Sequence, residues 1–330
     1  MKLRISNKTV DVFIKIGLYY LIAYLGFLFI RKGFGVDYLS DKLFTYGLGV
    51  MILLTIYVAY INKDSRMFKL IHFTSEKKSF VISMFSILFI GVVIAFNVEI
   101  IETNVFTPKL LAIIIASLLI GFGLEIVISF YIKGKKTFKI SEFINEKKSY
   151  IINTFSIFVL IAMIGFNIEA IVMKSFVPEM LVVTFLSLTI GFCEEGMFRF
   201  YIYEKFDCEK NGEMIKAFII SVVMFALLHM VNVAQGMTLM DAWIQSVATI
   251  NVGIIFSIIY LATKNFAIIA FWHAYIDFNL FITKFGSFPI THKISIILDV
   301  LIRIIFVMCL ICLGIKIYKN YRRKKVSKNF

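Results

Sequence analysis

The chain alternates long apolar runs with short polar connections. A helix needs about 20 apolar residues to cross hydrocarbon. Runs near that length recur at about 11–30, 43–61, 80–98, 110–132, 150–168, 180–203, 214–231, 243–262, 266–283 and 293–315. The connections between them alternate in charge. Residues 62–79 carry Lys63, Arg66, Lys69, Lys77 and Lys78, and residues 133–148 carry Lys133, Lys135, Lys136, Lys139, Lys147 and Lys148. The intervening stretches 99–109 and 169–179 hold one lysine each. Lys and Arg gather on the cytoplasmic side of membrane proteins, so an even number of spans predicts both termini in the cytoplasm. The first outer connection, with Arg31, Lys32 and Lys42, runs against the trend. Only Thr263–Asn265 separates two of the later runs, which requires a tight cytoplasmic turn there. The expected fold is all-α: a polytopic transmembrane helical bundle of about ten spans.

A repeat lies inside this pattern, at an offset of 70 residues. Glu76-Lys-Lys-Ser79 returns as Glu146-Lys-Lys-Ser149, Phe96-Asn-Val-Glu99 as Phe166-Asn-Ile-Glu169, and Pro108 as Pro178. Gly121-Phe-Gly-Leu-Glu125 then matches Gly191-Phe-Cys-Glu-Glu195. Agreement at Asn, Pro and Glu is not what apolar composition alone produces. Each copy holds two spans, so the copies should run in the same direction. The chain divides accordingly into an N-terminal pair of spans with its loop (1–75), the first repeat copy (76–145), a bundle with the second copy and two histidine-bearing helices (146–290), and a last span with a basic tail (291–330). Copy one has Leu124 and Ser129 where copy two has Glu194 and Arg199. Glu194 and Arg199 are therefore what the second copy adds.

Composition sharpens the class. Apolar residues make up 60% of the chain and the mean hydropathy is +0.89, which excludes an ordinary soluble domain. A transmembrane barrel would need short alternating strands, which the sequence lacks. The net charge of +14 sits in loops and in the tail Lys316–Lys328, a placement that suits anionic lipid and gives no reason to expect nucleic acid. The N-terminal Lys2, Arg4 and Lys8 before an apolar run resemble a signal peptide. That run is too long and has no small-residue cleavage site, so it reads as an uncleaved first span. Cys309-Leu-Ile-Cys312 has metal-like spacing but no second pair, and with Cys193 and Cys208 it suggests neither a metal site nor a disulfide framework.

Ionisable residues inside spans are costly and mark polar sites enclosed by other helices. Glu194 and Glu195 are adjacent, and Arg199 is four residues after Glu195, on the same helix face. Glu194 points about 100° away, so Arg199 neutralises one carboxylate and leaves the other facing elsewhere. A purely structural Glu–Arg pair would account for only one of them. The next span sets Ser221, Phe225, His229 and Asn232 on one stripe. His273 and Asp277 share a face further on. His229, His273, Glu194 and Asp277 are a donor set suited to zinc or another divalent ion with an open position for water. No His-Glu-x-x-His motif is present. Ser221 as a nucleophile with His229 fits poorly, two turns away. Asp299 and Arg303, again four apart, read as an internally neutralised pair.

Three of these stretches together resemble the CAAX-processing and bacteriocin-processing intramembrane metalloproteases, the CPBP or Abi family. The match comprises Glu194-Glu195-x-x-x-Arg199, Phe225-x-x-x-His229 and His273-x-x-x-Asp277, in order, over residues 180–283. The resemblance implies a helical-bundle endopeptidase in which a glutamate activates water. On that pattern Glu194 is the general base, and Glu195 and Arg199 orient the site or the substrate. His229, His273 and Asp277 shape the site, stabilise the oxyanion or hold a metal; Phe225, Asn232 and Ser221 support them. Asp277 stands where the prenyl-protein branch often has Asn, and a carboxylate is the better metal ligand and the poorer oxyanion donor. The substrate implied is a hydrophobic peptide or membrane-protein precursor. The Ile-, Lys- and Asn-rich composition suits a bacterial cell membrane and a peptide precursor. Two other readings stay open: a non-catalytic scaffold or bacteriocin-immunity protein of the same fold, and a secondary transporter that uses the repeat and the buried carboxylates.

Overall fold

The computed structural model describes residues 7–36, 40–62 and 140–326. Among these the chain is helical throughout. The helices are α1 (Asn7–Phe34), α2 (Asp41–Ile61), α3 (Ile140–Val172), α4 (Pro178–Glu195), α5 (Ile202–Lys205), α6 (Asn211–Leu228), α7 (Leu239–Thr263), α8 (Phe266–Ile282) and α9 (Pro289–Val326). A π-helical turn, Gly196–Tyr201, joins α4 to α5, and a 3-10 helix, His229–Gln235, extends α6. Among the described residues, seven segments are long and apolar enough to cross a membrane: α1, α2, α4 through α5, α6 with its extension, α7, α8 with its short continuation, and the first part of α9. The protein is a multi-pass, all-α integral membrane protein. The apolar part of α3 is the shorter Phe158–Val172. The expected spans 80–98 and 110–132, and with them the first repeat copy and Glu125, lie outside the described residues.

Local chemistry sets the helix ends. Ser40 caps α2 by accepting from the Leu43 amide at 3.2 Å, and Pro178 opens α4 at a position where a missing N–H costs nothing. Thr238 caps α7 and also donates to Asp241 at 2.6 Å. Between α7 and α8 the turn is as tight as the sequence requires. Lys264 adopts a left-handed conformation, and the Asn265 side chain caps α8 through the amides of Ala267 and Ile268.

The described residues fall into two compact units. The first comprises residues 7–36, 40–62, 175–286 and 305–326; the second comprises 140–174 and 287–304. In the second, the repeated Phe-Asn-Ile-Glu signature clamps the start of α9. Glu169 accepts from the amides of Ile290 and Thr291, each at 2.8 Å, and from the Thr291 hydroxyl at 2.6 Å. These amides lie in the first turn of α9, where no intrahelical acceptor exists. Phe166 packs edge-on against Phe288 beside them, with centroids 4.6 Å apart. Asp299 and Arg303 pair at 2.7 Å on an exposed face of α9.

The helices of the first unit gather at two ends. At one end Lys216 donates to Thr9 at 2.8 Å, Tyr201 donates to Asp11 at 3.0 Å, and Tyr57 donates to the Lys15 carbonyl at 3.0 Å. The start of α1, the end of α2, α5 and the start of α6 therefore meet there. At the other end Phe44 packs on Phe281 and Arg31 reaches the Val233 carbonyl. That end joins the finish of α1, the start of α2, the extension of α6 and the finish of α8.

Candidate active site

The site begins with the close approach of α4 and α8. A Cβ at Gly191 would lie 2.7 Å from the Ala274 amide nitrogen and hard against the Ala270 carbonyl. Only glycine lets the two backbones touch there. One turn beyond Gly191 comes Glu195, and His273 stands between Ala270 and Ala274. The approach thus delivers both residues to one point.

Glu195 is fully buried. Its Oε1 accepts from Nδ1 of His273 at 2.7 Å and from Nη1 of Arg199 at 2.8 Å. An ionised carboxylate only accepts, so Nδ1 of His273 carries the hydrogen. Nε2 then faces Glu194 Oε2 at 3.8 Å and Asp277 Oδ2 at 3.7 Å. Arg199 is also fully buried, and a cation in such a place needs several partners. Besides Glu195 it has the Gly253 carbonyl, 3.4 Å from Nη2, and the face of Phe225, 3.9 Å from its central carbon. This contact with the ring quadrupole is at close range.

Phe225 joins the two histidines. Its ring lies edge-on to His229 and to His273, with centroids 5.3 and 5.6 Å away. Its carbonyl accepts from Nδ1 of His229 at 3.2 Å, which fixes the tautomer and leaves Nε2 of His229 as an acceptor.

Helix α7 supplies residues that the sequence reading did not single out. Gln245, Thr249, Gly253 and Ser257 recur every four residues and meet the site in order. Gln245 accepts from Asn232 at 2.8 Å, and Thr249 lies 3.5 Å from Nδ1 of His229. Gly253 holds Arg199, and Ser257 pairs with Ser221 at 3.3 Å. A polar and small stripe at helical spacing inside an apolar span was the available signal. Ser221 is thereby buried against Ser257, below the level of the imidazoles.

A cavity of about 660 Å³ opens on this centre. Glu194, His229, Asn232, His273 and Asp277 line it, whereas Glu195, Arg199, Phe225 and Ser221 stand behind its wall. The two carboxylates facing it retain some access: the Glu194 side chain is 13% exposed and that of Asp277 20%, against zero for Glu195 and Arg199. Oε2 of Glu194 is buried and has no hydrogen-bond partner.

A divalent ion would have to take its ligands from His229, His273, Glu194 and Asp277. Two donors each about 2.1 Å from a tetrahedral zinc stand roughly 3.4 Å apart. The separations of 3.7 and 3.8 Å around Nε2 of His273 are wider. As placed, no group of three or more His, Cys, Asp or Glu side chains among the described residues is arranged to hold a metal.

The fold and site thus define a membrane-embedded helical bundle whose acids and imidazoles meet at a cavity deep within it. Residues 174–279, about a third of the chain, match the family model described as Type II CAAX prenyl endopeptidase Rce1-like. Over that segment, which contains every site residue named above, the chain is similar to CAAX-type proteases. No curated protein and no solved structure matches the chain.

Proposed function

We propose that the protein is an intramembrane endopeptidase of the CAAX-protease type that hydrolyses a hydrophobic or membrane-bound peptide precursor. One observation carries the reading. Of two adjacent glutamates, Glu195 is neutralised by Arg199 and His273 behind the cavity wall, while Glu194 lines the cavity beside His273.

Glu194 takes a proton from a water in the cavity as the water oxygen attacks the peptide carbonyl. The His273 imidazole, held by Glu195 at Nδ1, donates from Nε2 in its protonated form to the developing oxyanion. Asp277 lies beside that nitrogen, its Oδ2 3.7 Å away. His229, tied to the Phe225 carbonyl, offers Nε2 as an acceptor that orients water or a peptide N–H. The proton on Glu194 then passes to the leaving amine, and the C–N bond breaks.

The alternation of basic and weakly charged connections supports ten spans, cytoplasmic termini, and basic loops and tail against anionic lipid in a bacterial cell membrane. The narrower bacteriocin-processing type of substrate is part of this reading. The test is cleavage of a hydrophobic peptide library by purified protein in liposomes. Glu194→Gln should abolish it, and cleavage at the normal rate by that variant would overturn the proposal.

A further inference from the structure

The cavity is one-sided. Its lining runs along α1 from Tyr19 to Phe27, along α2 from Leu54 back to Leu43, along the extension of α6 to Gln235 and Met237, and along α8 to Lys284. Each of these paths leads from mid-helix to the end where Phe44 packs on Phe281 and Arg31 reaches Val233. None leads to the end where Thr9, Asp11, Tyr201 and Lys216 meet. Among the described residues of the first unit, this cavity leads from the site to that end.

Charge says which side of the membrane that end faces. The closed end carries Lys8, Lys15, Lys205, Lys210, Lys216 and Lys264. The open end has fewer, Arg31, Lys32, Lys42 and Lys284; carboxylates occur at both ends (Asp11, Glu204, Asp207, Glu209 and Glu213 at the closed one, Asp241 at the open one) and weigh little in orientation. The more basic end is the cytoplasmic one.

We infer that the cavity is loaded from the extracytoplasmic face, and that its occupant is the outer, membrane-proximal segment of an anchored or exported peptide. The substrate half of this inference rests on the peptidase reading. The lining suits such a segment. Phe27, Leu43, Phe44, Met51 and Phe281 form an apolar wall. Opposite them runs a row of amides: Gln235 donates to Asn232 at 2.9 Å and Asn232 to Gln245 at 2.8 Å. Each amide has donor and acceptor capacity beyond these bonds, which matches an extended peptide backbone. A prenylated cytoplasmic C-terminus, by contrast, would meet the closed end.

Sidedness is tested by labelling intact cells with a membrane-impermeant maleimide. Cys193, Cys208 and Cys309 are buried, so replacing Cys312 by Ser lowers the background. Met237→Cys and Lys284→Cys should label at least tenfold faster than Lys210→Cys, and permeabilisation should remove the difference. Faster labelling of Lys210→Cys, or equal labelling of all three in intact cells, would overturn the inference. If a cysteine variant fails to accumulate, protease protection of a tag placed after Val326 gives the same answer: protected in intact cells as expected, or cleaved and the inference overturned. The labelling is repeated in Glu194→Gln. An inert Glu194→Gln with outer labelling supports both readings, whereas an unimpaired Glu194→Gln with outer labelling removes the peptidase and keeps the sidedness.

Discussion

Nδ1 of His273 and Nη1 of Arg199 share one oxygen of Glu195, at 2.7 and 2.8 Å. The shared acceptor divides the labour of the adjacent glutamates. Glu195 is consumed in holding a histidine and an arginine in place, and Glu194 is left to face the cavity. The roles follow from which carboxylate Arg199 can reach.

The Glu195–Arg199 pair should behave as a unit. Arg199→Leu leaves a buried carboxylate short of its cation and should destabilise the protein by roughly 3–5 kcal/mol. The Glu195→Gln/Arg199→Leu double variant should be less destabilised than the sum of the single changes, with a coupling of about 0.5–3 kcal/mol. Thermal midpoints in detergent measure both, and additive effects would refute the pairing.

Removal of Glu194 should act on rate, with little effect on folding. Glu194→Gln should lower kcat by on the order of 10²–10⁴-fold while leaving the thermal midpoint nearly unchanged. Cleavage by wild type should survive a chelator within about twofold, since the mechanism rests on Glu194 and His273. Loss of activity on chelation, restored by zinc, would require a rearranged set of ligands around Nε2 of His273.

Gly191 should tolerate nothing larger. In Gly191→Ala the new methyl meets the backbone of Ala270 and Ala274, and overpacking of this kind costs about 1–3 kcal/mol. The helices part at the point that brings Glu195 to His273, so activity should fall along with stability. Gly165→Ala is the control, because no described residue lies within 4 Å of the added carbon. Equal effects from the two changes would show that the close approach is unimportant.

Glu169 should anchor the start of α9 without touching the chemistry. Glu169→Ala deprives the part-buried Ile290 amide and the buried Thr291 amide and hydroxyl of their acceptor, at a cost of about 1–3 kcal/mol. Hydrogen exchange at Ile290 and Thr291 should rise while cleavage by the folded fraction stays normal. Unchanged protection would rule the clamp out.

The sequence by itself determined the class of protein and most of the names at the site. Apolar runs of spanning length can only become helices in lipid, because every backbone group must find its partner within the segment. Ionisable residues placed inside those runs stand out for the same reason, which made Glu194, Glu195, Arg199, His229, His273 and Asp277 visible. Even the turn at Lys264 and Asn265 could be read from spacing. Helical spacing also paired Arg199 with Glu195 and turned Glu194 elsewhere. What it left undecided is which histidine meets that pair, since one helical turn separates Arg199 from Glu195 whether or not a histidine lies opposite. The close approach at Gly191 brings α8 into that place. The stripe on α7 finds its partners only when α7 lies beside α6 and its extension, for Gln245, Thr249 and Ser257, and beside the π-helical turn, for Gly253. The end to which the cavity opens is likewise set by how α1, α2 and α8 diverge. These are distances between segments far apart in the chain, and local propensity carries no information about them.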